Sequence, residues 1–176
     1  MADPKPFSPV KLICGIIGPG PEEARLAEER LAELYGPVDL RGPAVPFDLT
    51  DYYEDEMGPG LERRFLSFAG LIRPEDLPDI KLRTNALEDE IRRASGRARR
   101  VVNLDPGYVT AAALIMATAK NFAHRVPLGK GIYAHLELLF VKDGVKVLDW
   151  TYPDLRGEAH REFFRAVRAR YLAQRG

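Results

Sequence analysis

The segments GIYAHLELLFV (131–141) and GVKVLDWTY (144–152) meet at Lys142-Asp143-Gly144. Asp-Gly between two alternating runs is a strong hairpin signal, because both residues tolerate the positive φ of a tight two-residue turn. A hairpin requires antiparallel neighbours. It therefore argues against a doubly wound parallel sheet, which strict strand–helix alternation would build.

Upstream, KLICGIIG (11–18) is short, apolar and rich in isoleucine, as a buried strand is. Pro19-Gly20-Pro21 breaks it, and Ala24, Ala27, Leu31 and Leu34 then recur at helical spacing until Gly36-Pro37. Short extended pieces are expected near 44–48 and over 63–72, with a sharp turn at Met57-Gly58-Pro59-Gly60. A helix follows from Pro74 to Arg93, with Leu77, Ile80, Thr84, Leu87 and Ile91 inward and its charges on a solvated face. RRVVNL reads as a strand ending in a turn at Asp105-Pro106-Gly107. Thr110 is then a candidate N-cap for AAALIMATAKNFAHRV, a buried central helix. Residues 158–173 form an amphipathic C-terminal helix. The expected architecture is a single-domain α+β sandwich, its sheet mixed or mostly antiparallel and covered by about four helices. Residues 1–9 form a flexible lead-in and 10–176 the domain.

Composition removes several function classes. Lys plus Arg and Asp plus Glu both number 26, so net charge is +0 and no global field attracts nucleic acid. No apolar run approaches the ~18 residues of a membrane span, and MADPKPFSPVK lacks an apolar core like that of a secretory signal, so the expected location is cytoplasmic. The single cysteine, Cys14, excludes an internal disulfide and a cysteine-based zinc cluster. Gly15, Gly18 and Gly20 lie at a strand-to-helix turn, but no lysine follows and two prolines remove amide donors. They form a tight turn rather than a phosphate loop.

The richest polar stretch runs from Asn103 to Glu137. On the expected helix, Lys120 and His124 project from one face beside Arg125, with Lys130 on the next loop. These cations either complement the helix's negative end or hold a phosphate or carboxylate. Asp105 is either an acid at a strand–helix turn or an Asx turn closing on backbone amides. Tyr133, His135 and Glu137 share one face of a strand, His135 and Glu137 being about 7 Å apart. If buried, that pair suits general acid–base work; if exposed, it is an ordinary polar face. Asp48, Asp51, Glu54, Asp55 and Glu56 crowd around Tyr52 and Tyr53, either as a solvated turn or as one wall of a site; such an oxygen-rich segment suits a hard cation such as magnesium, although its spacing matches no calcium loop. No nucleophile elbow and no paired-histidine motif is present.

FDLTDYYEDEMGPGLERRF, NLDPGY, HRVPLGKGIYA and WTYPD together resemble the prokaryotic domain-of-unknown-function family numbered 4416, over about Pro9 to Arg156. The resemblance implies a small single-domain protein and carries no activity with it. Some similar sequences bear a GTP-binding label, but this chain lacks both the P-loop lysine pattern and N-K-x-D.

The expected function is enzymatic action on, or binding of, a small anionic, phosphorylated or nucleotide-like ligand. Lys120, His124, Arg125 and Lys130 would hold the anion, and Tyr52, Tyr108 and Tyr133 would orient it. Asp105, His135 and Glu137 would supply acid–base chemistry, and Asp51 would hold any divalent cation. The alternative is a non-catalytic protein-interaction module using the same polar face. At ~1.5 Å per residue, the two ends of the expected central helix stand about 20 Å apart. Asp105 and Lys120 would then not share one small site.

Overall fold

The computed structural model describes residues 3–48 and 53–175. Its strands are β1 (Val10–Gly18), β2 (Val38–Arg41), β3 (Val45–Pro46), β4 (Glu62–Ile72), β5 (Asn103–Val109), β6 (Ala113–Thr118), β7 (Val126–Gly129), β8 (Ile132–Val141) and β9 (Gly144–Val147). The helices are α1 (Pro21–Tyr35), the single turn α2 (Glu54–Met57), α3 (Leu77–Ala94) and α4 (Glu158–Arg175). Among the described residues the strands form one sheet in the order β2-β4-β1-β5-β6-β8-β7, with every pairing antiparallel. β3 extends the β2 edge along β4, and β9 extends the β7 edge along β8. The α+β class is as expected, and so is the hairpin, although its two-residue turn is Lys142-Asp143, with Gly144 at positive φ already paired to Val141.

Strand β1 is buried throughout because helices cover both faces of the sheet. Leu12, Cys14 and Ile16 pack on Ala24, Ala27 and Leu31 of α1 and on Ile80, Leu87 and Ile91 of α3. Ile13 faces the other way, into a cluster with Phe65, Met116, Leu138 and the α4 residues Phe163, Phe164 and Val167. Alternation on a two-sided sheet thus produces a continuous apolar run. Among the described residues no helix is long and apolar enough to cross a membrane.

Two expectations fail around β5 and β6. The central helix does not form: 113–118 is strand, and 119–125 is loop. AAALIMAT has good helix formers, but it lies between β5 and β8, where both of its faces are covered and two ladders satisfy its backbone. Packing overrides propensity here. Thr110 does bind the amides of Ala112 and Ala113, at 3.1 and 2.9 Å, as an N-cap would. Its own N–H donates to Ala113 O at 2.9 Å, which closes the hairpin loop between β5 and β6. Asp105-Pro106-Gly107 is likewise strand.

The decisive irregularity is that β5 and β6 pair only over Gly107–Met116, Tyr108–Ile115 and Val109–Leu114. Beyond that point Asn103 to Pro106 stay with β1, while Ala117 and Thr118 stay with β8. The sheet splits. Side chains of α3 replace the missing strand: Glu88 Oε1 accepts the Leu104 N–H at 2.7 Å, and Lys81 Nζ donates to Leu104 O at 2.8 Å. Pro106 has the same parity as Leu104, so its nitrogen also faces the split; lacking an N–H, it leaves no orphan donor there.

Gly107 sits at the last paired rung. A Cβ there would lie 2.5 Å from both Ile115 O and Met116 Sδ. Gly107→Ala is therefore expected to destabilise the protein by about 1–3 kcal/mol through overpacking, read as a melting temperature several degrees lower. An unchanged melting temperature would mean that the rung is not held so closely.

Candidate functional site

The split opens a cavity of about 670 Å³. Asn103 and Asp105 line one side, Ala117, Thr118 and Lys120 the other; α3 supplies Lys81 and Glu88, while Arg63 and Asp154 close the opposite face. Asp105 and Lys120 thus share one site, contrary to the expected helical separation, because no helix intervenes.

At its centre is Arg63, 3% exposed. It is the β4 residue facing α4 two positions before Phe65, and its guanidinium lies 4.8 Å from the Phe65 ring and 5.8 Å from Phe47. Gly15 permits this. A Cβ there would lie 2.8 Å from Phe65 and 3.3 Å from Arg63 Nε. Arg63 donates to Asp154 Oδ2 at 2.8 Å and to Asp105 Oδ2 at 2.9 Å, and Lys81 Nζ lies 3.6 Å from Asp105 Oδ1. Burial pushes the Asp105 carboxyl up, but Lys81 and Arg63 more than offset it and hold Asp105 below the usual carboxylate range. Glu88 goes the other way. Burial dominates, with only partial relief from the Leu104 N–H, Lys81 and Arg100, and its pKa rises to about 7. The two carboxyls in one cavity are therefore pushed apart, Asp105 ionised and Glu88 about half protonated at neutral pH, the direction in which acid and base roles separate.

The wall at Tyr152 is built by a bulge. The pairing of β6 with β8 is irregular at one step: Leu114 pairs Leu138 and Ile115 pairs Leu136, so Glu137 is the extra residue. The outer edge of β8 is also unpaired between its rungs with β7 and β9. Residues 150–152 fill that gap. Trp150 Nε1 donates to Leu136 O at 2.7 Å, Thr151 Oγ1 donates to Glu137 O, and the Tyr152 N–H donates to Glu137 Oε2 at 3.0 Å.

His135 and Glu137 are both 0% exposed, so the buried alternative holds for that strand face. Glu137 Oε1 and His135 Nδ1 approach to 3.2 Å, yet neither atom makes a hydrogen bond. Burial pushes Glu137 up to about 8, against the Tyr152 N–H and Arg63, and pushes His135 down to about 4 with help from Arg125 and His124. The pair is neutral near pH 7.

The remaining residues singled out in the sequence divide. His124 stacks on Trp150 (5.1 Å, 11°) and lies 4.7 Å from the His135 ring, while Arg125 donates to the Tyr152 hydroxyl at 3.0 Å. They stand one layer behind the cavity. Lys130 lies elsewhere, exposed, with φ 55° and its Nζ 2.5 Å from Asp79 Oδ1. Tyr108 lines a separate cavity of about 570 Å³ with Phe7, Val10 and Leu128. Tyr133 is half-buried between Thr118 and Pro127 and lines neither cavity. Tyr52 and Asp51 fall outside the described residues; Tyr53 lines the cavity. Among the described residues no group of three or more His, Cys, Asp or Glu is arranged to hold a metal.

A family model described as a domain of unknown function (DUF4416) matches residues 8–171. The chain belongs to that family. The DUF4416 match contains every residue that lines the cavity. No curated protein and no solved structure matches.

Arg63, Lys81, Glu88, Tyr152 and Asp154 were not anticipated from the sequence, although signals existed. Arg63 alternates with Phe65 in an apolar strand, which marks a charge on a buried face. Lys81 and Glu88 fall seven apart, on the inward stripe of α3 with Leu77, Thr84 and Ile91, so the expectation that all its charges are solvated was wrong.

Proposed function

We propose that the chain binds a small anionic ligand in the cavity of the split sheet, and that Asp105 and Glu88 act on it as ionised and protonated carboxyls. What carries this reading is the split itself. It gives up ladder hydrogen bonds in the middle of a sheet and rebuilds them with charged α3 side chains around an open space. Lys120 is exposed at the rim, and the side chains of Arg92 and Arg100 stand there at 32% and 35% exposure, with Lys81 buried beneath. Cations around a partly enclosed, low-dielectric space hold an anion far better than surface cations do. In this scheme Tyr53 contacts the ligand, His124, Arg125, His135 and Glu137 support the wall, and Lys130, Tyr133 and Tyr108 take no part.

A thermal-shift screen of phosphorylated and carboxylated metabolites, with and without magnesium, tests it. A ligand at ~100 times its Kd stabilises by about 2.7 kcal/mol, a rise of roughly 5–10 °C for a chain of this size. Lys120→Ala and Arg100→Ala are expected to reduce that rise while leaving the unliganded protein folded. No stabilisation by any compound would count against the proposal.

The interaction-module alternative has one observation in its favour. Phe122, Val126 and Leu128, at 64%, 62% and 41% exposure, put apolar side chains on and beside the β7 edge. Pro127 interrupts the donors of that edge, which disfavours strand addition by a partner. The cavity is the better supported site.

A further inference from the structure

Tyr152 is held at three points. Its N–H is bound by Glu137, its ring packs edge-on to His135 with centroids 4.9 Å apart, and its hydroxyl oxygen accepts from Arg125 Nη2 at 3.0 Å. The residue lines the split-sheet cavity. Arginine offers no acceptor, so the hydroxyl hydrogen must find its acceptor elsewhere. Among the described residues no hydrogen bond from this hydroxyl is made. A guanidinium donating to the phenol oxygen also polarises the O–H and strengthens it as a donor. Arg125 is itself anchored, its Nη1 donating to Lys120 O at 2.7 Å. One arginine thus ties the rim residue Lys120 to the Tyr152 hydroxyl across the cavity wall.

From this geometry we infer that Tyr152 is a specificity-determining donor, its hydroxyl hydrogen-bonding to an acceptor oxygen of a bound oxyanion, with Arg125 a positioning residue acting through it. The inference rests on the anion-site proposal above and deepens it. The ligand is a phosphoryl or carboxyl compound, with one oxygen on Tyr152 while its charge faces Lys120 and the rim arginines. Cationic and purely apolar molecules do not match this set of donors.

The full-length chain is titrated by calorimetry with inorganic phosphate, pyrophosphate and citrate, which separates a phosphoryl from a carboxyl source. Tyr152→Phe keeps the ring and removes the hydroxyl. It is expected to weaken the responding probe about tenfold, the effect of one hydrogen bond to a charged acceptor. Arg125→Met is expected to weaken the same probe, Arg125→Lys to restore part of the loss, and Arg125→Met to add nothing in the Tyr152→Phe background. A merely structural arginine would give additive losses, and additivity overturns the positioning role. Unchanged binding in Tyr152→Phe, with loss in Lys120→Ala, overturns the Tyr152 assignment and leaves the anion site standing. No binding of any probe to the unmodified chain overturns both. Should Tyr152→Phe fail to fold, Arg125→Lys against Arg125→Met carries the test, and equal losses in the two overturn the assignment.

Discussion

Arg63→Met is expected to lower the melting temperature by about 10 °C. The guanidinium is buried between two aromatic rings and neutralises Asp105 and Asp154, which are 22% and 6% exposed at the side chain. Methionine fills much of the same volume but leaves two carboxylates facing each other in a low-dielectric site. Breaking a buried pair from one side costs about 3–5 kcal/mol, and each kcal/mol is worth roughly 2–4 °C in a chain of this length. Lys81, 3.6 Å from Asp105, relieves only one of the two acids. Adding Asp154→Asn to Arg63→Met should therefore recover a large part of the loss. Arg63→Lys should fall between, since one ammonium cannot reach both carboxylates as a fork does. A fall of less than about 2 °C in Arg63→Met would show that the three groups are not a coupled unit.

The second large effect is a loss of stability on the alkaline side. Glu137 and Glu88 have folded pKa values of about 8 and about 7, above their ordinary 4.5. Both hold protons in the fold that the unfolded chain has released. Their contribution is complete below about 4.5 and is lost as pH rises through 7 and 8. His135 and His160, each pushed by burial from 6.5 to about 4, behave oppositely: their contribution is present above 6.5 and is lost on acidification. Between about pH 4.5 and 6.5 the two trends offset one another. Above 6.5 only the carboxyl loss remains. At about 1.4 kcal/mol per pH unit and group, it amounts to roughly 3 kcal/mol by pH 9, most of it from Glu137. Melting temperature measured against pH should thus decline from pH 6.5 to a little above 8, where both carboxyls are ionised in the fold, and then level off. Glu137→Gln, which mimics the protonated acid and can still accept the Tyr152 N–H, should remove the larger share of that slope. An equally steep decline in Glu137→Gln would place the titration elsewhere.

Elements whose periodicity and punctuation agree with their environment were legible in the sequence. The first strand, α1, α3, α4 and the Asp143-Gly144 hairpin all have a pattern that packing reinforces. The middle of the chain was not legible, for a common reason: local chemistry imitated another structure. Thr110 makes the amide contacts of a helix cap while closing the β5–β6 hairpin loop. AAALIMAT has helix propensity but sits between two strands. Pro106-Gly107 reads as a turn, yet proline omits a donor where the sheet splits and glycine permits the last close rung.

The site follows the same division. Asp105, His135 and Glu137 were singled out by their types and spacing, and Lys120 by its neighbours. Their relation to one another depended on the split and on the bulge at Glu137, which are long-range features. Arg63 and Tyr152 became visible only once β4 and the 150–154 segment were brought against β5 and β8. Lys130 was drawn in by sequence proximity alone, and the turn at 129–131 carries it to Asp79.

Ligand binding in the opening between β5 and β6 is tested most directly by amide NMR of the labelled full-length chain, titrated with inorganic phosphate and then pyrophosphate. Saturable shifts concentrated at 103–105, 117–120 and 151–154 are the expected result. Unsaturated shifts scattered over the exposed arginines of α1, α3 and α4 would contradict it.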